Sequence, residues 1–174
     1  VLFDNLEDFH AQKVWILGKL VAENDKYLFD VERCDISSVM GHFHVKDFSE
    51  EKLKLHLKAG HIHLMQIVPG GVVTKKAVAD IDINSNGDFV YDPCRDIVKI
   101  AVVERHHNTG KVAVGLLGGY GMKIGAIALS ISHDSHNIIV VGTNNRDMAV
   151  AVEALIAQGG GIVLADQGDR KSTR

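Results

Sequence analysis

The chain has 174 residues, enough for one domain with a sizeable core, or for one domain plus a piece of another. Apolar residues make up 46%, charged residues 24% and the formal net charge is −3, so nothing in the balance points to nucleic acid or an acidic membrane surface. No apolar run approaches the roughly 20 residues that span a bilayer, and Val1-Leu2-Phe3-Asp4 lacks the basic head and small-residue cleavage site of a signal peptide. Cys34 and Cys94 are too few and too far apart for a disulfide scaffold or zinc knuckle, so a cytoplasmic setting is expected.

The spacing predicts two short strands at Lys13–Ile16 and Lys19–Ala22, joined by a tight hairpin at Leu17-Gly18. Such a hairpin needs a larger sheet to be stable. Residues 31–60 are polar and irregular. Asp47-Phe48-Ser49-Glu50-Glu51 opens a short helix, with Ser49 as N-cap and acids in the first turn. From His63 the pattern becomes β: Leu64–Val68, a turn at Pro69-Gly70-Gly71, then Val72–Thr74 and Ala77–Ile83. Asn84-Ser85-Asn86-Gly87 is a further turn. Ile97–Val103 reads as a buried strand and Lys111–Leu117 as its return. Ala126–Ser132 and Ile138–Val141 also read as strands, the first with some helical character.

The best helix runs from Arg146 to Gln158, with Met148, Val152, Leu155 and Ile156 on one stripe. Asn144 or Asn145 caps its start and Gly159 ends it. Ile162–Leu164 is then a buried strand, and the polar tail 169–174 is expected to be disordered. The fold class expected is α/β (α+β): mixed β-sheet layers with few helices, preceded by a short β-hairpin.

Two motifs have the residue types for chemistry. His133-Asp134-Ser135-His136-Asn137 interrupts two apolar strands, where side chains at a strand end reach a ligand. Two imidazoles and a carboxylate can relay protons, bind a purine edge or ligate a metal. A polar turn bonding its own backbone explains the spacing equally well. Glu104-Arg105-His106-His107 ends the buried strand, and Arg105 is a fork of donors suited to a carboxylate. On spacing alone it reads more readily as a solvated strand end. The two motifs support each other only if their strands are adjacent. His42-Phe43-His44 and His61-Ile62-His63 have the His-x-His form of metal ligands. Neither has a carboxylate or third histidine at a telling distance, so both fit partly exposed edge strands better. The glycine band from Gly115 to Gly125 lacks the Lys-Ser or Lys-Thr step of a P-loop, and tight turning accounts for it.

Several segments resemble, in order, those of bacterial and archaeal adenine deaminases. They are Gly18-Lys19-Leu20-Val21-Ala22-Glu23, Val45-Lys46-Asp47-Phe48-Ser49, Ile67-Val68-Pro69-Gly70, Thr74-Lys75-Lys76 and Val102-Val103-Glu104-Arg105-His106. Lys123 with Gly125-Ala126-Ile127-Ala128, then Ser132 through Gly142, Asp147-Met148-Ala149 and Gly160-Gly161 continue the match. The resemblance runs to about Asp166, and the tail past Gln167 does not align.

The resemblance implies adenine and water going to hypoxanthine and ammonia, by a metal-dependent amidohydrolase of purine salvage. In that family a manganese or iron ion in a (β/α)8 barrel activates water. The barrel's ligand segments have no counterpart here, so no metal is expected in this chain and the chain alone is expected to be inactive. It reads as a fragment of a longer enzyme or a truncated product. Residues 1–30 would be terminal strands of the amidohydrolase β-sandwich, 31–168 the C-terminal α/β domain and 169–174 the tail. The domain would cap the barrel and line the purine pocket. His133, Asp134 and His136 are its catalytic candidates, with Ser135, Asn137, Arg105 and His106 as substrate-binding candidates. The partners implied are adenine, the barrel domain and further copies of the enzyme, with neither nucleic acid nor membrane. The alternative is a subunit-interface or structural domain. A third reading, a separate metallohydrolase using its own histidines, needs the His-x-His pairs to hold metal.

Overall fold

Leu17 and Gly18 both sit at positive φ, as the tightest hairpin turn demands, and the strands either side of them pair antiparallel. The computed structural model describes residues 1–39 and 41–173, apart from the side chains of 172 and 173. The chain divides into two compact units, Val1–Met40 and Gly41–Arg174. In the first unit the expected hairpin is widened. β1 (Leu2–Phe3), β2 (Ala11–Ile16), β3 (Lys19–Glu23) and β4 (Lys26–Tyr27) form an antiparallel sheet in that order.

The second unit is built on β5 (His61–Ile67), β6 (Thr74–Asp80), β7 (Asp82–Ile83), β8 (Phe89–Val90), β9 (Ile97–Val103) and β10 (Val112–Gly118). β11 (Ala126–Leu129), β12 (Ile138–Gly142), α1 (Asn145–Gln158), β13 (Ile162–Asp166) and β14 (Asp169–Thr173) complete it. The main sheet has the order β14-β13-β11-β12-β9-β10-β5-β6, and β7 pairs with β8 separately. Its registered pairs are antiparallel except β10 with β5, so the sheet is mixed. It is an open sheet, and α1 is the α-helix among the described residues. The expected α+β class is what the structure has.

The helix covers one face of β11, β12 and β13. Met148, Val152 and Leu155 are fully buried, while Ile156 only flanks the core. They meet Ala126, Ala128, Ile138, Val140 and Val163 from the sheet. Each large side chain buried here contributes about 1.5–3 kcal/mol. Small residues set the close spacing of the layers: a Cβ on Gly142 would lie 2.4 Å from the Met148 Cγ. Asn144 caps the helix, its Oδ1 accepting from the Asp147 N–H at 2.8 Å, and Gly159 ends it in the left-handed region.

Four expectations need correction. The helix after Ser49 is a short 3-10 turn, Glu50–Leu53, and the Ser49 side chain makes no cap. Its fully buried Leu53 and the carbonyl held by Lys99 turn the chain before an α-helix can extend. The strand drawn across 77–83 breaks at Ile81, which is buried and donates to the Gly60 carbonyl. The tail is not disordered over 169–173: β14 pairs along β13. Gln167 and Gly168 both take positive φ, the hairpin geometry that lets polar residues add an edge strand. Residue 174 lies outside the described residues. Finally, the His-x-His pairs are not on edge strands. His42–His44 is in no strand, and β5 lies between β10 and β6.

Lys99 sits in the middle of this sheet with a relative exposure of 2%. Its Nζ donates to Asp88 Oδ1 at 2.6 Å, Asn145 Oδ1 at 2.6 Å and the Leu53 carbonyl at 3.0 Å. Asp88 also accepts from Asn145 Nδ2 at 2.7 Å and from the backbone N–H groups of Leu55 and Phe89. Burial favours the protonated carboxyl, but Lys99, the Leu55 N–H and Asn145 outweigh it and hold Asp88 below the usual carboxylate range. Burial pushes Lys99 down, and Asp88 opposes that. Removing one partner leaves the other charge buried alone. Lys99→Met is therefore expected to cost about 3–5 kcal/mol in urea unfolding; a loss below about 1 kcal/mol, typical of an exposed pair, would contradict this reading.

Candidate functional site

β9 and β12 are neighbours, with Ile138 opposite Val103. That register carries the end of β9 and the approach to β12 to the same end of the sheet. The two polar motifs therefore meet. The Arg105 N–H donates to Asn137 Oδ1 at 3.4 Å, and the Arg105 Nε donates to the His136 carbonyl. His106 Nε2 lies 2.8 Å from the Ser135 carbonyl, and since a carbonyl only accepts, that nitrogen carries the hydrogen.

Residues 133–137 form a turn rather than a strand end. Asp134 and His136 have φ of 67° and 48°, the left-handed region that non-glycine residues seldom enter. The His136 N–H closes the turn on the Ser132 carbonyl at 2.8 Å, and the Ser132 and Ser135 hydroxyls lie 3.4 Å apart. The polar turn, one of the two readings weighed above, is present, and the second motif lies against it. The turn's backbone is tied down, yet its first side chains stand in solvent. His133 Nδ1 is 2.8 Å from Asp134 Oδ1, with the two side chains 94% and 90% exposed. An ion pair so exposed adds little to stability.

Arg105 does not grip a carboxylate. Its Nη1 donates to the His42 carbonyl at 3.1 Å, and the guanidinium lies 4.8 Å from the centre of the Phe43 ring. The His44 N–H returns a bond to the Arg105 carbonyl at 2.9 Å. Segment 42–45 is thereby fastened beside the two motifs, with Phe43 and Val45 packed on the core.

Sequence reasoning missed the role of Glu104. One carboxylate oxygen accepts from the backbone N–H groups of His106 and His107, the latter at 2.7 Å. The other accepts from the Thr109 N–H at 3.1 Å and its hydroxyl at 2.8 Å. The signal was an acid followed closely by Asn-Thr-Gly, the composition of a loop wrapped on a side chain. The His107 and Thr109 N–H groups are the main reason its carboxyl is lowered to about 2.

Of the two His-x-His pairs, His42 and His44 join the cluster through their backbone groups, which bond Arg105. His61 Nδ1 pairs with Asp80 Oδ1 at 2.7 Å on an exposed surface. Among the described residues, no three His, Cys, Asp or Glu side chains are grouped so as to hold a metal ion. The donor set here therefore does not fit the divalent metal implied by the resemblance. No helix among the described residues is long and apolar enough to cross a membrane.

A family model described as the adenine deaminase C-terminal domain matches residues 71–173, which includes both motifs. The chain belongs to that family. The domain is also similar to curated relatives over nearly its whole length. It is 60% identical over 95% of its residues to adenine deaminase 2 of Desulfotalea psychrophila, and 48% identical over 96% to the adenine deaminase of Ligilactobacillus salivarius. Against adenine deaminase 2 of Carboxydothermus hydrogenoformans the identity is 39% over 97%. In each case the chain spans 29% of the relative's length.

The lowered Glu104 carboxyl has a pH consequence. Its support of the 104–109 loop is complete above its ordinary value of 4.5 and is lost as pH falls through about 2. The side-chain carboxyl resonance of Glu104 should therefore show no midpoint near 4.5. A normal glutamate titration there would mean that the loop is not wrapped on this side chain.

Proposed function

We propose that the domain serves a full-length enzyme that deaminates adenine to hypoxanthine and ammonia, and that the turn 133–137 lines its purine pocket beside the catalytic barrel. The observation that carries this is the meeting of two polar motifs at one end of the sheet, with the turn's backbone held and His133 and Asp134 turned outward. The names of the relatives supply the substrate. Residues 1–30 would belong to the terminal strands of the barrel's β-sandwich. Free, exposed Cys34 and Cys94 fit a cytoplasmic setting.

In this reading Asp134 and His136 handle protons or the purine's ring nitrogens, because a purine edge offers both donors and acceptors. His133 orients the Asp134 carboxylate, and Ser135 and Asn137 complete the polar wall, with Arg105 and His106 behind it. The manganese or iron would be held by the rest of the enzyme, since the donor set here does not suit it. The chain alone would then be inactive, and adenine turnover by it with either metal supplied would refute that.

In the full-length enzyme, Asp134→Asn and His136→Ala should each lower kcat/KM roughly tenfold or more while leaving the metal content intact. Wild-type rates in both would remove the turn from the pocket.

A second reading, a subunit interface that supports a homo-oligomer, is favoured by Leu164, half-exposed on the sheet face that α1 does not cover. Sedimentation of Leu164→Glu distinguishes them: a smaller assembly with normal turnover supports the interface reading.

A further inference from the structure

We propose that Arg105 is a positioning residue for the turn 133–137, holding its backbone in the one shape that presents the pocket-lining side chains, rather than a residue that binds substrate. This rests on the purine-pocket reading above.

The turn has two non-glycine residues, Asp134 and His136, in the left-handed region. Strained backbone persists only where its surroundings over-determine it. Within the turn, the bonds from Ser132 and Ser135 are local, and two of them are long at 3.4 Å. Restraint from outside comes from residues 105 and 106. The side-chain restraint is Arg105 Nε, which donates to the His136 carbonyl, while the backbone N–H of Arg105 adds a long 3.4 Å bond to Asn137 Oδ1. His106 Nε2 donates to the Ser135 carbonyl.

Arg105 also reaches away from the turn. Its Nη1 donates to the His42 carbonyl at 3.1 Å, and its flat face lies over Phe43, which packs on the core. One planar fork thus spans two carbonyls from segments far apart in sequence, braced on a ring anchored in the core. A lysine ammonium is a point charge and cannot reproduce that fork. Two of its five N–H donors, at Nε and Nη1, are directed at protein carbonyls, which ties the guanidinium to the scaffold. The outward groups are His133 and Asp134.

The test uses the full-length enzyme carrying Arg105→Gln and, separately, Arg105→Lys. Three quantities are read: amide hydrogen exchange across 132–137, kcat and KM for adenine, and metal content. Expected is faster exchange confined to the turn and segment 42–45, with kcat down roughly 10–100-fold, KM little changed and metal retained. Arg105→Lys should fall between wild type and Arg105→Gln, and it decides the matter if the glutamine variant does not fold. Unchanged exchange in the turn overturns the proposal whatever the rates do. A raised KM with kcat retained also overturns it, because that marks direct substrate binding. Faster exchange with wild-type kcat and KM leaves the clamp in place but refutes the purine-pocket reading, and with it the catalytic importance of the positioning.

Discussion

A lysine ammonium buried at the centre of a β-sheet must be neutralised there, and the second unit is arranged around that requirement. Lys99 draws together three segments that the sheet alone would not join. They are the 3-10 turn through the Leu53 carbonyl, the loop before β8 through Asp88, and the first residue of α1 through Asn145. The hydrogen bonds close on one another, since Asn145 also donates to Asp88. A charge so enclosed resists any shift of the helix start relative to β9, because a partner lost in the interior is not replaced by water.

The candidate site inherits this rigidity. β9 is fixed at its middle by Lys99 and along its length by β10 and β12. Its end therefore delivers Glu104, Arg105 and His106 at a defined place. Glu104 wraps the following loop, while Arg105 and His106 take the carbonyls of the turn before β12. A strained turn on the protein surface is thus held by groups that extend from the most firmly paired strand.

The elements with strong local signals were legible in the sequence. The hairpin at Leu17-Gly18, the strand Ile97–Val103, its return and α1 with its terminal glycine all carry their period or turn chemistry within a few residues. What depended on distant partners was not. Lys99 reads as one polar residue in an apolar strand, and nothing local announces partners at positions 53, 88 and 145. β14 is polar, and only pairing with β13 orders it. The site was legible as two motifs that needed adjacent strands, and the β9–β12 register supplies the adjacency. The use made of Arg105 was not legible: a guanidinium suits a carboxylate in general, and here it takes backbone carbonyls instead.

The most direct test of the purine-pocket assignment is the structure of the full-length enzyme with hypoxanthine bound. The account predicts side chains of 133–137 within about 4 Å of the ring, on the wall that faces the metal site. A turn that faces bulk solvent or a neighbouring subunit, with no atom touching the ligand, would contradict it.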